Sequence, residues 1–383
     1  MEKIIYHQVQ PENVKSLYKE YDQVDFQLGF EGRSLLCNSV RLEGNIKVTN
    51  NGTATIADTD DVAIDCKIGA HSVIAGCVTQ FQTKGVVENI TDYPRLCKIH
   101  TECDKIENDM LNSNYTCELR SPHDRISNLM IRPIVPVTYG GEAAGKIANA
   151  SAGSQTELPS FSIKPKICIN NATGNIRLTD AQSGAVKLTF TLERNMGVLH
   201  GRALVAGNAY TYELSNLRVC YMSAPESAPQ QVEMRCAVGL KSSINSAFSN
   251  TSSKVPAVCN SVSVSFIQQS HEYNGNFVNT AMEEPPSISK INYLFNDNTN
   301  QYVSYEIKDR ADMIERGVSS VVGGSSNSSQ LQKLSSNKGY VLGLNWNSYV
   351  DLSQQKFNIQ LQTEISNLEP YIMFMFFHSR FVL

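Results

Sequence analysis

Tyr371-Ile-Met-Phe-Met-Phe-Phe377, close to the end of the 383-residue chain, is apolar at every position. A helix that crosses a membrane needs about 20 such residues, so this run is too short to be one. A strand covered on both faces has this length and this composition. Just before it, Phe357, Ile359 and Leu361 alternate with Asn358, Gln360 and Gln362. That period of two turns one face of a strand to a core and the other to water. Gly339 to Leu383 therefore reads as three strands in a row, the last sealed inside a β-sandwich. A chain that buries its end this way after Ser- and Asn-rich loops reads as an all-β shell or binding module rather than a metabolic enzyme.

Length and composition agree. A single core stops growing at roughly 250–300 residues, so two domains, or one domain with a large insertion, are expected. Hydrophobic residues make up 41% of the chain, enough for a real core, while charged residues make up only 18%. The usual charged share is about a quarter, so the surface is polar but weakly charged. A net charge of -4 and a pI near 6.0 exclude an electrostatic nucleic-acid binder, which needs a basic face to displace counterions.

The start, Met1-Glu-Lys-Ile-Ile-Tyr-His-Gln, has no apolar core of a signal peptide, so synthesis in the cytoplasm is expected. Of the ten cysteines, Cys168 and Cys220 sit in apolar strand-like runs, where a free thiol behaves as a small buried hydrophobe. In a reducing compartment the thiols are expected to be free. Seven Asn-x-Ser/Thr sequons, starting at Asn51, Asn89, Asn114, Asn149, Asn171, Asn250 and Asn327, are what a chain this rich in Asn, Ser and Thr produces by chance.

Along the chain, Val14, Leu17, Tyr18 and Tyr21 at helical spacing predict a short helix over Pro11 to Tyr21. A second short helix is predicted over Glu102 to Leu111, and a third from Asp309 to Gly317. Strands are predicted at Val24–Phe30, Ser39–Asn50, Val62–Ile68, Phe161–Ile169, Val186–Glu193, Tyr210–Met222, Val232–Leu240, Val262–Gln268 and Tyr302–Ile307. Asn50-Asn51-Gly52 is a hairpin-turn signal. Gly323-Gly-Ser-Ser-Asn-Ser-Ser329 reads as a linker and the best domain boundary. The expected architecture is a single jelly-roll β-sandwich with an inserted second β-rich domain. Residues 1–224 plus 330–383 would form the jelly roll and 225–329 the insertion, because the closing strands need partners from the first half.

Chemical motifs are few. Gly140-Gly-Glu-Ala-Ala-Gly145-Lys146 fills most of a phosphate-binding loop, but Ile147 stands where Ser or Thr would hold magnesium, and no helix-forming stretch follows. It reads as a flexible small-residue loop. Cys97, His100 and Cys103, with Cys117 and His123 downstream, are zinc-ligand types. Their C-x2-H-x2-C spacing is not that of a structural zinc site, so core and surface roles are expected. His71 and His378 lie in apolar runs and read as core histidines. Asp60-Asp61 and Glu283-Glu284 sit in turn-like sequence, and adjacent carboxylates on a strand point to opposite faces. No catalytic, cofactor-binding or metal-binding residue is assigned, no cofactor is expected, and the chain is not expected to be an enzyme.

Four stretches carry a family resemblance. Arg33-Ser-Leu-Leu-Cys-Asn-Ser-Val-Arg-Leu-Glu-Gly44, Ile68-Gly-Ala-His-Ser-Val-Ile74, Gly85-Val-Val-Glu-Asn89 with Tyr93-Pro-Arg95, and Pro370-Tyr-Ile-Met-Phe-Met-Phe-Phe377 resemble penton (vertex) capsid proteins of virophages, the Sputnik-like type, and of related polinton-like viruses. The resemblance implies a homopentamer at the fivefold vertices of a capsid that is assembled in the host cytoplasm. It implies contact with the major capsid protein and an outer upper domain, 225–329, facing a host or giant-virus surface. Two other readings fit the composition. A carbohydrate-binding or adhesin-like sandwich would show clustered exposed aromatics, and a double-jelly-roll major capsid protein would be unusually short at this length.

Overall fold

The computed structural model describes residues 3–29, 32–50, 64–65, 67–103, 117–120, 160–179, 182–201, 210–226, 231–255, 257–283, 285, 288–296, 301–321, 341–353, 355–363 and 369–383. The expected turn at Asn51-Gly52, the pair Asp60-Asp61, the loop Gly140–Lys146, His123 and the linker Gly323–Ser329 lie outside them. Strand accounts for 55% of the structure and helix for 12%, so the expected all-β jelly-roll sandwich is what the chain forms.

The closing strands explain their own sequences. β16 (Val341–Asp351), β17 (Lys356–Thr363) and β18 (Tyr371–Val382) fall where the alternating and apolar runs place them. They join β11 (Glu233–Ile244), β12 (Phe248–Ser253), β13 (Val258–Gln268), β14 (Ile288–Asn296) and β15 (Gln301–Ile307). One sheet has the order β16-β13-β18-β11 and the other β12-β17-β14-β15. The first and last of these eight strands lie side by side, paired from Glu233–Val382 to Ile244–Tyr371, which is jelly-roll order.

β18 is apolar on both faces because both are covered. On the inner face, Phe377 packs edge-on against Phe357 of β17 with ring centroids 5.3 Å apart. Phe357 in turn meets Phe295 and Trp346. On the outer face, the guanidinium of Arg95 sits 3.9 Å from the centre of the Phe374 ring. Trp346 is buried and donates its indole N–H to the Cys259 carbonyl at 3.1 Å, so it is a core residue and not a sugar platform.

The N-terminal part builds a second sandwich. β1 (Ile5–Val9), β3 (Arg33–Leu36), β4 (Arg41–Asn50), β7 (Ser160–Ile163), β8 (Asn175–Arg177) and β10 (Tyr210–Pro225) form one sheet, in the order β7-β4-β10-β3-β8 with β1 also on β10. β2 (Gln23–Leu28), β5 (Ile74–Phe81), β6 (Gly85–Ile90) and β9 (Val186–Leu192) form the other, in the order β6-β5-β9-β2. Val24, Phe26 and Leu28 alternate inward on β2, as Leu188 and Phe190 do on β9, and Phe26 meets Phe190 edge-on. One parallel bridge, Val238 with Asn89, links β11 to β6 and fuses two of the four layers into an eight-stranded sheet.

This pairing departs from the boundaries expected from sequence. The strands after Lys338 do not return to the first half: β16 pairs with β13, β17 with β12 and β14, and β18 with β11 and β13. The segments taken as an insertion, 225–329, and as its closing strands, 330–383, thus build one sandwich. Loop-closure entropy favours this outcome, since the nearer partners cost less to bring together.

Helices depart from expectation in three places. Residues 11–21 are not helical; Tyr18 bridges to Leu214 of β10 instead, and its hydroxyl donates to the Asn13 carbonyl. The expected helix over Glu102–Leu111 lies outside the described residues beyond Cys103; a helix not expected from the sequence, α1, spans Tyr93–Cys103, with Pro94 in its first turn, where a missing N–H costs nothing. The third, α2, runs Arg310–Ser320 with the Asp309 carboxylate capping the Asp312 N–H at 3.0 Å. Gly317 does not end α2 but lies inside it, because the helix rests directly on β16. A Cβ built there would meet the Val341 carbonyl oxygen at 2.2 Å.

Gly317→Ala is therefore expected to destabilise the protein although alanine is the better helix former by about 1 kcal/mol. Overpacking against backbone costs about 1–3 kcal/mol. A lowered urea midpoint is the expected result, and an unchanged or raised one contradicts the close approach.

Candidate functional site

Helix α1 is the least ordinary element. Its sequence, Tyr-Pro-Arg-Leu-Cys-Lys-Ile-His-Thr-Glu-Cys, includes Arg, Lys, His and Glu, yet Arg95, Lys98 and Glu102 are each less than a tenth exposed. The helix packs against β5, β13 and the 3-10 turn Gly69–Val73, so it touches both sandwiches. Burying such groups is tolerable only when each is paired.

Lys98 places its ammonium 3.1 Å from both carboxylate oxygens of Asp65. Asp65 also accepts from the Thr280 hydroxyl and from the Lys67 N–H. Burial pushes the Asp65 carboxyl up, but Lys98 and these hydrogen bonds outweigh it and hold its pKa below the ordinary 3.8. Arg95 donates to the carbonyls of Asn279 and Ala281 while stacking on Phe374. Asp65 belongs to the N-terminal unit and Thr280, Asn279 and Ala281 to the segment between β13 and β14, so these charges tie the two halves together through α1.

At the start of the helix, the Tyr93 hydroxyl lies 2.9 Å from His71 Nδ1 and accepts the Lys166 N–H at 3.0 Å. His71 Nε2 is 3.7 Å from Glu118, which also pairs with Arg120 at 2.9 Å. Burial raises the Glu118 carboxyl, but His71 and Arg120 prevail and hold it at about 2. Burial keeps His71 below the ordinary histidine range. His71 is thus a core histidine, as its apolar surroundings implied.

Beside α1, at the seam between the sandwiches, lies a cavity of about 170 Å³. Glu88, His100, Lys166, Arg235, Cys236 and His378 are among its lining residues. Glu88 Oε2 accepts the Cys168 N–H at 2.7 Å and Oε1 accepts the Ala237 N–H at 3.1 Å. One carboxylate thereby holds β6, the loop carrying Cys168, and β11. Burial drives the Glu88 pKa up to about 7 against these donors. The ligand atoms of Glu88, Cys168 and Cys236 all lie within 4.8 Å of one another, and all three residues are buried. His378 meets Ser263 at 3.0 Å and His100 edge-on, and burial pushes its pKa down to about 4.

The zinc-type residues singled out by spacing are split by the helix. Cys97 turns to His71 Nδ1, at 3.8 Å, whereas His100 faces the seam cavity with His378. Cys103 is buried and Cys117 exposed. No disulfide joins the nine described cysteines to one another. Glu283 accepts from the Gln268 N–H and pairs with His271, each at 2.7 Å, and so staples a turn. The cluster of Glu88, Cys168 and Cys236 was not apparent in the sequence, because its members are separated by 80 and 68 positions and share no motif.

No family model matches the chain, and no curated protein matches it by sequence. Solved structures do. The Faustovirus major capsid protein matches with a TM-score of 0.62 at 8% identity, over 100% of this chain and 90% of that one. A chain of the Sputnik virophage structure matches with a TM-score of 0.59 at 12% identity, over 99% and 86%. The mavirus major capsid protein matches with a TM-score of 0.52 at 10% identity, over 97% and 86%. At these identities the likeness shows a common fold: this chain has the jelly-roll architecture of viral capsid proteins along its whole length.

Removing one partner of the Asp65–Lys98 pair leaves a buried charge alone. Lys98→Met is expected to cost about 3–5 kcal/mol, read as a lowered urea midpoint, with Asp65→Asn added to Lys98→Met restoring part of it. The sign with pH follows from the depressed carboxyl. The pair's contribution is present above pH 3.8 and lost as pH falls below it. The double variant should therefore show a shallower acid limb than the wild type; equal slopes would contradict the pairing.

Proposed function

We propose that this chain is a structural protein of a virus shell, non-enzymatic and located in the virion. The observation that carries the reading is the match of its entire length to nearly the entire length of the Faustovirus major capsid protein. The weakly charged surface supports it, since shell subunits join through many modest polar contacts and small apolar patches. Tyr6 of β1 and Met222 of β10 are exposed and directly paired, and with exposed Ile4, just before β1, form one such patch. The partner we infer is first of all a second copy of this chain; no specific nucleic-acid partner is invoked.

Two finer readings differ in stoichiometry. The resemblance of the sequence to pentons points to a homopentamer at fivefold vertices, in contact with the major capsid protein. The two sandwiches within one chain favour a major-capsid role: three copies set six sandwiches around one axis, which suits six neighbours in a shell, whereas five copies set ten. A cyclic assembly of either kind needs two different faces per subunit.

Native mass spectrometry of the purified full chain separates the readings. A trimer is expected; a pentamer would favour the vertex role. A strict monomer at micromolar concentration would contradict the shell reading. Tyr6→Asp combined with Met222→Asp is expected to shift the oligomer toward monomer without lowering the thermal midpoint by more than a few degrees.

A further inference from the structure

We propose that Glu88, Cys168 and Cys236 form a binding site for a thiophilic divalent cation of the zinc type, set in the seam between the two sandwiches. The proposal does not rest on the capsid reading. Two sulfurs and one carboxylate oxygen are the donor set that such an ion selects, and an alkaline-earth ion would not choose sulfur. All three donors lie within 4.8 Å of one another. Zinc–sulfur bonds of about 2.3 Å in a tetrahedron set sulfurs roughly 3.8 Å apart, so small side-chain adjustments close the set.

A fourth position is at hand. The cavity of about 170 Å³ opens onto Glu88 and Cys236 and is also lined by His100 and His378. It has room for a water, and its two imidazoles add ligand types of the right kind. The charge around it fits as well. Two thiolates and a carboxylate exceed a doubly charged ion by one negative charge, and Lys166 and Arg235 line the same cavity.

The carboxylate is already oriented for the task. The Cys168 and Ala237 N–H groups hold Glu88 at 2.7 and 3.1 Å, the kind of outer hydrogen bond that fixes a ligand and strengthens a metal site. The donors come from β6, from the loop after β7 and from β11. An ion there would clip the N-terminal sandwich to the C-terminal one beside the single-residue bridges Val238–Asn89 and Ala172–Met234.

The test uses full-length protein, purified with a chelator and a non-thiol reductant and then titrated with Co²⁺ as the spectroscopic probe. The expected result is a thiolate-to-cobalt charge-transfer band saturating at one equivalent per chain and bleached by Zn²⁺. Cys168→Ser and Cys236→Ser should each abolish the band, Glu88→Gln should weaken binding at least tenfold, and Cys97→Ser with Cys103→Ser should leave it intact. If the serine variants do not fold, thermal melts of the wild type decide: Zn²⁺ should raise the midpoint and Mg²⁺ should not. The proposal is overturned by a folded wild type that gives no band, by a band that survives Cys168→Ser, by equal shifts with the two metals, or by a Cys168–Cys236 disulfide in place of metal binding.

Discussion

The pairing of buried charge along α1 is the constraint on which the rest of the structure depends. A helix holding Arg95, Lys98 and Glu102 out of water is unstable by itself, and it becomes acceptable only where Asp65, Thr280 and the carbonyls of Asn279 and Ala281 converge on it. Those partners come from both sandwiches. Neither half can satisfy the helix alone, so the relative position of the halves is specified by hydrogen-bond geometry and not by apolar contact, which is less directional.

The same seam explains the composition of β18. Its inner face fills the jelly roll through Met375 and Phe377, and its outer face receives Arg95 over Phe374. A strand between two packed layers cannot alternate, and this one does not. Glu88 plays the corresponding part on the far side of α1. It accepts from two buried backbone donors, the Cys168 N–H of the loop after β7 and the Ala237 N–H of β11. A polar seam of this kind fixes the angle between the two sandwiches of the chain.

How much was readable from the sequence depended on whether the signal was local. The three closing strands, the capped start of α2 at Asp309 and the core character of His71 follow from nearest-neighbour pattern. Residues 11–21 carry a helical spacing, but the backbone of Tyr18 finds a better partner in Leu214, a long-range choice with no local trace. Helix α1 leaves only a weak trace in the sequence because part of its buried face is charged, and hydrophobic periodicity registers only apolar faces. Gly317 looked like a helix end and is instead the contact surface of a helix on a strand.

The sequence by itself determined the fold class, because strand periodicity and an apolar run of seven residues are properties of adjacent positions. It also determined the weak surface charge, which depends on composition alone. Only the tertiary structure decided which strands pair, and so that the last three close on β11–β14 and not on the N-terminal half. Antiparallel strands of similar pattern are interchangeable until loop length and the opposite layer select among them. Only the tertiary structure brought Glu88, Cys168 and Cys236 together, since side chains that meet across a seam leave no spacing for a linear reading to find.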